Sequence, residues 1–236
     1  MLTNPDPNVI ICKKCTVAPV EVIVRGYLTG VTDTALWTRY QKGQRNFTDF
    51  TLSDGMVKNT KLAHPVVTPT TKFEAHDRNL SFSEIIDGGY LTSTQWEEIH
   101  AVALKLFARG QEIAARTGLI LVDTKYEFGY DYENKIMLID EVHTQDSSRY
   151  WKMESYEERV SKGEEPEYFD KEFLRLWFKE NCDPYNDVTL PEAPEAMRLE
   201  LARRYIEIYE KLSLKKFETL PPSDIESRIR LALLST

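Results

Sequence analysis

Apolar positions recur along the chain with different periods, and each period predicts a different element. Between residues 94 and 117, Trp96, Ile99, Val102, Ala103, Leu106 and Phe107 fall every three or four residues, the stripe of an amphipathic helix. Thr94 and Glu97 have capping-box spacing at its start, and Gly118 stands where it should stop. Residues 9–29, "VIICKKCTVAPVEVIVRGYLT", are rich in Val and Ile and broken at Pro19, which predicts two strands. Residues 41–75 carry Thr, Asn and Gly with little periodicity, which predicts loops over a surface, and long loops in a compact domain are usually functional. Branched apolar residues open "LILVDTKYEFG" at 119–129, a strand entering a core, followed by the turn "YDYENK" and a second strand, "IMLIDEV". The two should pair as an antiparallel hairpin, with the 94–117 helix packed on their sheet. Three helical segments close the chain, at 170–181, 194–213 and 223–234. Strands and helices mix without regular alternation, so the predicted class is α+β, with a mixed or antiparallel sheet and C-terminal helices.

The 119–129 strand carries charges where a buried strand should have none. Side chains alternate across a strand, so Asp123, Lys125 and Glu127 share one face, and Val122, Thr124, Tyr126 and Phe128 the other. The hairpin brings Asp140, at the end of the second strand, near Glu127. Carboxylates at adjacent strand ends, without nearby Cys or His ligands, favour a hard cation such as Mg²⁺, which commonly bridges carboxylates and nucleotide phosphates. The same pattern also fits salt bridges around Lys125. Crowding of the acids predicts that Glu127→Gln leaves thermal stability unchanged or raised. In "PVEVIVRGYLTG", residues 19–30, Arg25 ends a strand beside Gly26, with Gly30 beyond. That placement suits phosphate or carboxylate recognition, or a simple pair with Glu21.

Composition narrows the choices. With 42% hydrophobic residues in 236 and no apolar run of membrane-spanning length, the chain has ample core and no membrane partner is expected. A net charge of −8 argues against general nucleic-acid binding. Three cysteines fit a reducing compartment, and the first residues lack the pattern of a signal or transit peptide, so a cytoplasmic location is expected, or a plastid one if a transit peptide precedes Met1. Cys12 and Cys15 form a CxxC within strand-like sequence, with only Cys182 besides, and read as incidental thiols. His64, His76, His100 and His143 show no metal-ligand spacing.

Four motifs in order, P-x-E-x-x-V-R-G-Y-x-T-G at 19–30, "TPTTK" with "HD" at 68–77, "DTKYEFG" at 123–129 and "DEVHTQDSSRYW" at 140–151, resemble the SAICAR synthetase family. "DKEFLRLWFKENCDPY" and "RYIEIYEKL" are similar to its C-terminal region, especially in the plant-like branch. The resemblance implies a nucleotide site of the ATP-grasp or kinase style. It also implies an ATP-dependent ligase that joins L-aspartate to carboxyaminoimidazole ribonucleotide (CAIR), giving SAICAR, ADP and phosphate in purine biosynthesis. By resemblance Glu127 and Asp140 would hold Mg²⁺, and Lys125 would neutralise substrate or phosphoryl charge. Lys72 would lie close to the nucleotide and the reacting groups, with Asp77 nearby. Asp123 and Asp146 would contact substrate, and Arg25 and Arg149 would hold the CAIR phosphate and carboxylate. The expected partners are these small molecules, and a homo-oligomer is compatible. The pattern departs at Val31, where the family has Ser, and at Gln145, where it has Pro. Family members carry a glycine- and lysine-bearing strand pair before "PDPNV" that covers ATP. Residues 1–24 are therefore expected to be a remnant of that lobe with connecting strands, and 25–236 the central domain. A non-catalytic ribonucleotide-binding domain stands as the alternative, with a phosphotransferase as a third reading.

Overall fold

The Val- and Ile-rich segment before Gly26 forms one long strand, running straight through Pro19. The computed structural model describes residues 2–47, 49–74, 78–169, 171–183, 187–219 and 224–235. The strands are β1 (Thr3–Asp6), β2 (Val9–Ile11), β3 (Thr16–Tyr27), β4 (Lys61–Thr71), β5 (Leu119–Tyr130), β6 (Ile136–Ile139) and β7 (Ser148–Lys152). The helices are α1 (Leu36–Gln41), α2 (Phe82–Asp87), α3 (Ser93–Ala115), α4 (Met153–Ser161), α5 (Glu172–Asn181), α6 (Glu195–Ser213) and α7 (Ile225–Leu234). β1 and β2 pair as a separate ribbon, and the main sheet runs β4-β3-β5-β6, with β7 also on β5. All of its pairings are antiparallel.

Pro19 is tolerated because neither neighbour needs its missing N–H. Pairing with β5 skips from Val17–Gly129 to Glu21–Glu127, and pairing with β4 starts only at Val20. The break expected there falls instead at residues 12–15, so Cys12 and Cys15 sit in a connector rather than on a strand. The division expected after residue 24 falls inside β3, a single strand. The loops expected over 41–75 end at β4, which occupies 61–71. Little periodicity hid that strand, and its two prolines, Pro65 and Pro69, are accommodated because β4 lies at the sheet edge.

One face of the sheet is covered by α3. Trp96, Ile99, Ala103 and Phe107 join Val20, Val22, Val24, Tyr126 and Phe128 in the principal core. The helix cap lies two residues before the expected one: Thr92 caps the helix and Gln95 completes the box. Both Thr92/Gln95 and Thr94/Glu97 fit the capping pattern. Only the earlier start puts a hydrophobic residue, Leu91, before the cap and Trp96 at the fourth helical position, both in the core. Thr92→Ala should therefore cost about 1 kcal/mol in urea unfolding, whereas Thr94→Ala should stay within about 0.5 kcal/mol of wild type.

β5 does not keep one alternation along its length. Two of its residues span a single step of β7 between the pairs Leu121–Tyr150 and Asp123–Arg149. This bulge turns Val122 away from the Tyr126 and Phe128 face and into a second cluster with Tyr27, Ile120, Trp151 and Tyr156. Among the described residues no helix is long and apolar enough to cross a membrane.

Candidate functional site

Strand register puts the charged residues of three strands into rows on the sheet face away from α3. Arg25 lies opposite Asp123, which lies opposite Arg149 on β7. One row along, Ile23 faces Lys125, and beyond it Glu21 faces Glu127. β6 and β7 pair with opposite ends of the same edge of β5, leaving its middle to the 140–147 turn: the Lys125 amide donates to the Ser147 carbonyl at 2.9 Å. The sheet thus opens where its charges are densest.

Two members of the arginine row are buried, and Arg149 is partly buried. Arg25 is 6% exposed and Asp123 is 8% exposed. Arg149 donates to Asp123 Oδ2 at 2.8 Å, and the same oxygen lies 3.8 Å from Arg25 Nη1. Arg25 Nε donates to Thr68 Oγ1 at 2.8 Å, so Arg25 pairs with Asp123 and Thr68 rather than with Glu21. Burial pushes the Arg25 guanidinium down to about 10, against the attraction of Asp123. It stays charged at neutral pH, with one carboxylate shared between two guanidinium groups, and Glu172 lies 3.9 Å from Arg149. These groups line a cleft of about 210 Å³ with Thr32, Lys125, Asp146 and Lys171.

Glu21 and Glu127, directly opposed, would repel each other without cations between them. Lys125 donates to Glu21 at 3.1 Å and to Glu127, and Lys72 also bonds Glu127. Burial by itself raises the Glu127 carboxyl, but the bonds from Lys125 and Lys72 outweigh it and hold it below the usual range. The reverse balance raises Lys125, whose partners Glu127 and Glu21 outweigh its burial. Asp140 follows β6 with φ 61° and lies 3.8 Å from Lys125. The expectation that removing the Glu127 charge relieves crowding is therefore corrected: lysines already relieve it, and removing the charge strands them.

Asp146 sits at the cleft rim, accepting from Lys171 at 2.7 Å and from the Tyr205 hydroxyl at 2.8 Å. The bond from Lys171 chiefly holds its carboxyl below the usual range, against partial burial. Gln145 donates to the Tyr205 carbonyl at 3.3 Å, a bond proline could not make. Asp77 lies outside the described residues. Among the described residues no group of three His, Cys, Asp or Glu side chains is assembled to hold a metal ion; the acids here are spaced by lysines.

The sequence profile of the SAICAR synthetase family matches residues 1–191. The chain belongs to the SAICAR synthetase family. It is 54% identical over 217 residues to the phosphoribosylaminoimidazole-succinocarboxamide synthase of Legionella pneumophila (strain Paris), covering 92% of this chain and 70% of that protein. Identity to the chloroplastic enzyme of that name from Arabidopsis thaliana is 54% over 230 residues, 97% of this chain and 56% of that one. The solved SAICAR synthase from Saccharomyces cerevisiae, complexed with SAICAR, superposes with a TM-score of 0.70 at 34% identity. That match covers 87% of this chain and 64% of that one. The chain thus spans between 56 and 70% of these relatives' lengths. The α+β class and antiparallel sheet with C-terminal helices are as expected for a SAICAR synthetase-like fold.

Sequence reasoning did not assign Lys171 or Glu172 to the cleft, Tyr205 to its rim or Glu21 to the adjoining lysine cluster. Glu21 was legible only as a possible partner of Arg25, because its true partners come from β5 and the segment after β4. Lys171 and Glu172 begin a helix, where charges ordinarily face solvent. Tyr205 lies on α6, whose placement against the 140–147 turn no local pattern encodes.

Proposed function

We propose that this chain carries the ribonucleotide-binding part and much of the catalytic part of an ATP-dependent ligase that joins L-aspartate to CAIR. The observation that carries this reading is the Arg25–Asp123–Arg149 row, with Arg25 and Asp123 buried, opening into the same cleft as Lys125. Two guanidinium groups sharing one carboxylate retain attraction for a further anion, the chemistry needed to hold a phosphate or carboxylate. In such a ligase ATP phosphorylates the CAIR carboxylate, and the aspartate amine attacks the acyl phosphate with release of phosphate. Lys125 and Lys72 would meet the negative charge of the transferring group, with Asp123 and Asp146 orienting substrate. Asp77 belongs with this proposed set by resemblance alone.

The donor set fits magnesium. Glu21, Glu127 and Asp140 offer hard carboxylate oxygens, and Mg²⁺ usually takes only one or two from protein, with water and phosphate completing its shell. Glu127 and Asp140 would hold it once nucleotide phosphates engage the lysines. When bound it would supply positive charge beside the phosphates.

ADP release tests this reading. Release that requires CAIR, aspartate and ATP together is the expected result; none under any combination would contradict turnover by this chain. A second reading, ribonucleotide binding without turnover, is favoured by the arginine cleft being formed entirely within these residues. Separate calorimetric titrations distinguish them: under that reading CAIR binds and ATP binds poorly.

A further inference from the structure

The 140–147 turn supplies Asp140 to Lys125 at one end and Asp146 to Lys171 at the other, yet it has no regular structure to hold its shape. Two of its residues adopt left-handed backbone without being glycine: Asp140 at φ 61° and His143 at φ 54°. Such conformations persist only where neighbours over-determine them. His143 is where the neighbours act. Its Nε2 shares a 2.6 Å hydrogen bond with the Tyr126 hydroxyl, and its carbonyl accepts from the Tyr150 hydroxyl at 2.6 Å. Its ring meets Tyr126 edge-on, with centroids 5.6 Å apart, and lies against α3 at Gly110. A Cβ at Gly110 would stand 2.5 Å from the His143 ring, so only glycine leaves room for it.

We propose that His143 is a positioning residue for the cleft: its ring, seated between Tyr126 and Gly110, sets the turn that presents Asp140 and Asp146. Its hold on the turn stands on geometry alone, whereas its bearing on ligand affinity rests on the ligase reading above. Burial pushes the imidazole down to about 4, so the ring is neutral at pH 7. A neutral side chain with a polar atom at the same reach can therefore replace it, and Gln matches the Nε2 position.

Amide exchange in the apo protein reads the turn directly, because Ser148 donates to the Thr144 carbonyl and Lys125 to the Ser147 carbonyl, each at 2.9 Å. His143→Ala should speed exchange at these two amides about tenfold or more, with Val24 in the sheet unchanged. Gly110→Ala, whose methyl would press on the unaltered ring and on Leu121, should do the same. His143→Gln should stay within about threefold of wild type. CAIR affinity should follow the same order, falling about tenfold in His143→Ala and being rescued in His143→Gln. Unchanged exchange at both amides in His143→Ala and Gly110→Ala, or uniform loss of protection across the sheet, overturns the proposal. So does affinity that is unchanged in His143→Ala. Absence of CAIR binding by the wild type sinks the ligase reading instead, and the exchange result still decides the role of His143.

Discussion

Asp123→Asn will lower the unfolding free energy by about 3 kcal/mol, the scale of breaking a buried ion pair from one side. The substitution keeps the side-chain shape and one acceptor but removes the negative charge between Arg25 and Arg149. Arg25 has little access to water and keeps its hydrogen bond to Thr68, a neutral acceptor, so its charge loses most of its compensation. Arg149 keeps Glu172 at 3.9 Å and suffers less. An anion can replace the missing charge, so inorganic phosphate should stabilise the variant more than it stabilises wild type. Urea unfolding with and without phosphate measures both effects. A loss under about 0.5 kcal/mol, as for an ordinary surface change, would mean that the arginine row is not electrostatically coupled.

The second large effect is expected at Glu127. Under the ligase reading, Glu127→Gln should slow ADP release about a hundredfold or more, because a group that orders charge around the phosphoryl transfer is lost. It should also destabilise the fold by about 1–2 kcal/mol at pH 7, since Lys72 and Lys125 lose a charged acceptor. The pH dependence follows from the direction of the shift. The folded carboxyl is held below its usual value, so its contribution is fully present above the unfolded pKa of about 4.3 and disappears as pH falls through the folded value. Wild type and variant should therefore differ at pH 7 and converge as pH falls through the folded value. Equal stability at pH 7 with normal turnover would reduce the cluster to incidental surface pairs.

How much of this could be read from residues alone depends on whether the deciding contact is local. The α3 stripe, the β5–β6 hairpin and the three C-terminal helices follow from periodicity, and the structure has them close to the expected bounds. The start of α3 was shifted because two capping patterns overlap, and the choice rests on burying Leu91 with Trp96. β4 was missed because residues 41–75 show little periodicity; the tolerance of its prolines depends on its being an edge strand, a property of sheet order. In the site, Arg25, Asp123, Lys125, Glu127 and Arg149 were legible from alternation and motif. The structure brings the first three and Arg149 to one cleft, and places Glu127 beside it through Lys125. What alternation could not supply was register. Only the pairing of Glu21 with Glu127 explains why two lysines converge there, and only the β5 bulge separates Val122 from Tyr126.

The central claim is that the arginine-lined cleft holds the anionic groups of CAIR. Calorimetric titration of CAIR into wild type and Arg149→Met tests it most directly. Arg149→Met preserves much of the side-chain volume and leaves Asp123 paired with Arg25, so the fold should persist. The account predicts saturable binding to wild type and an affinity about tenfold to a hundredfold weaker in the variant, the worth of a charged hydrogen bond. Equal affinity in the two proteins, or no binding by wild type, would contradict it.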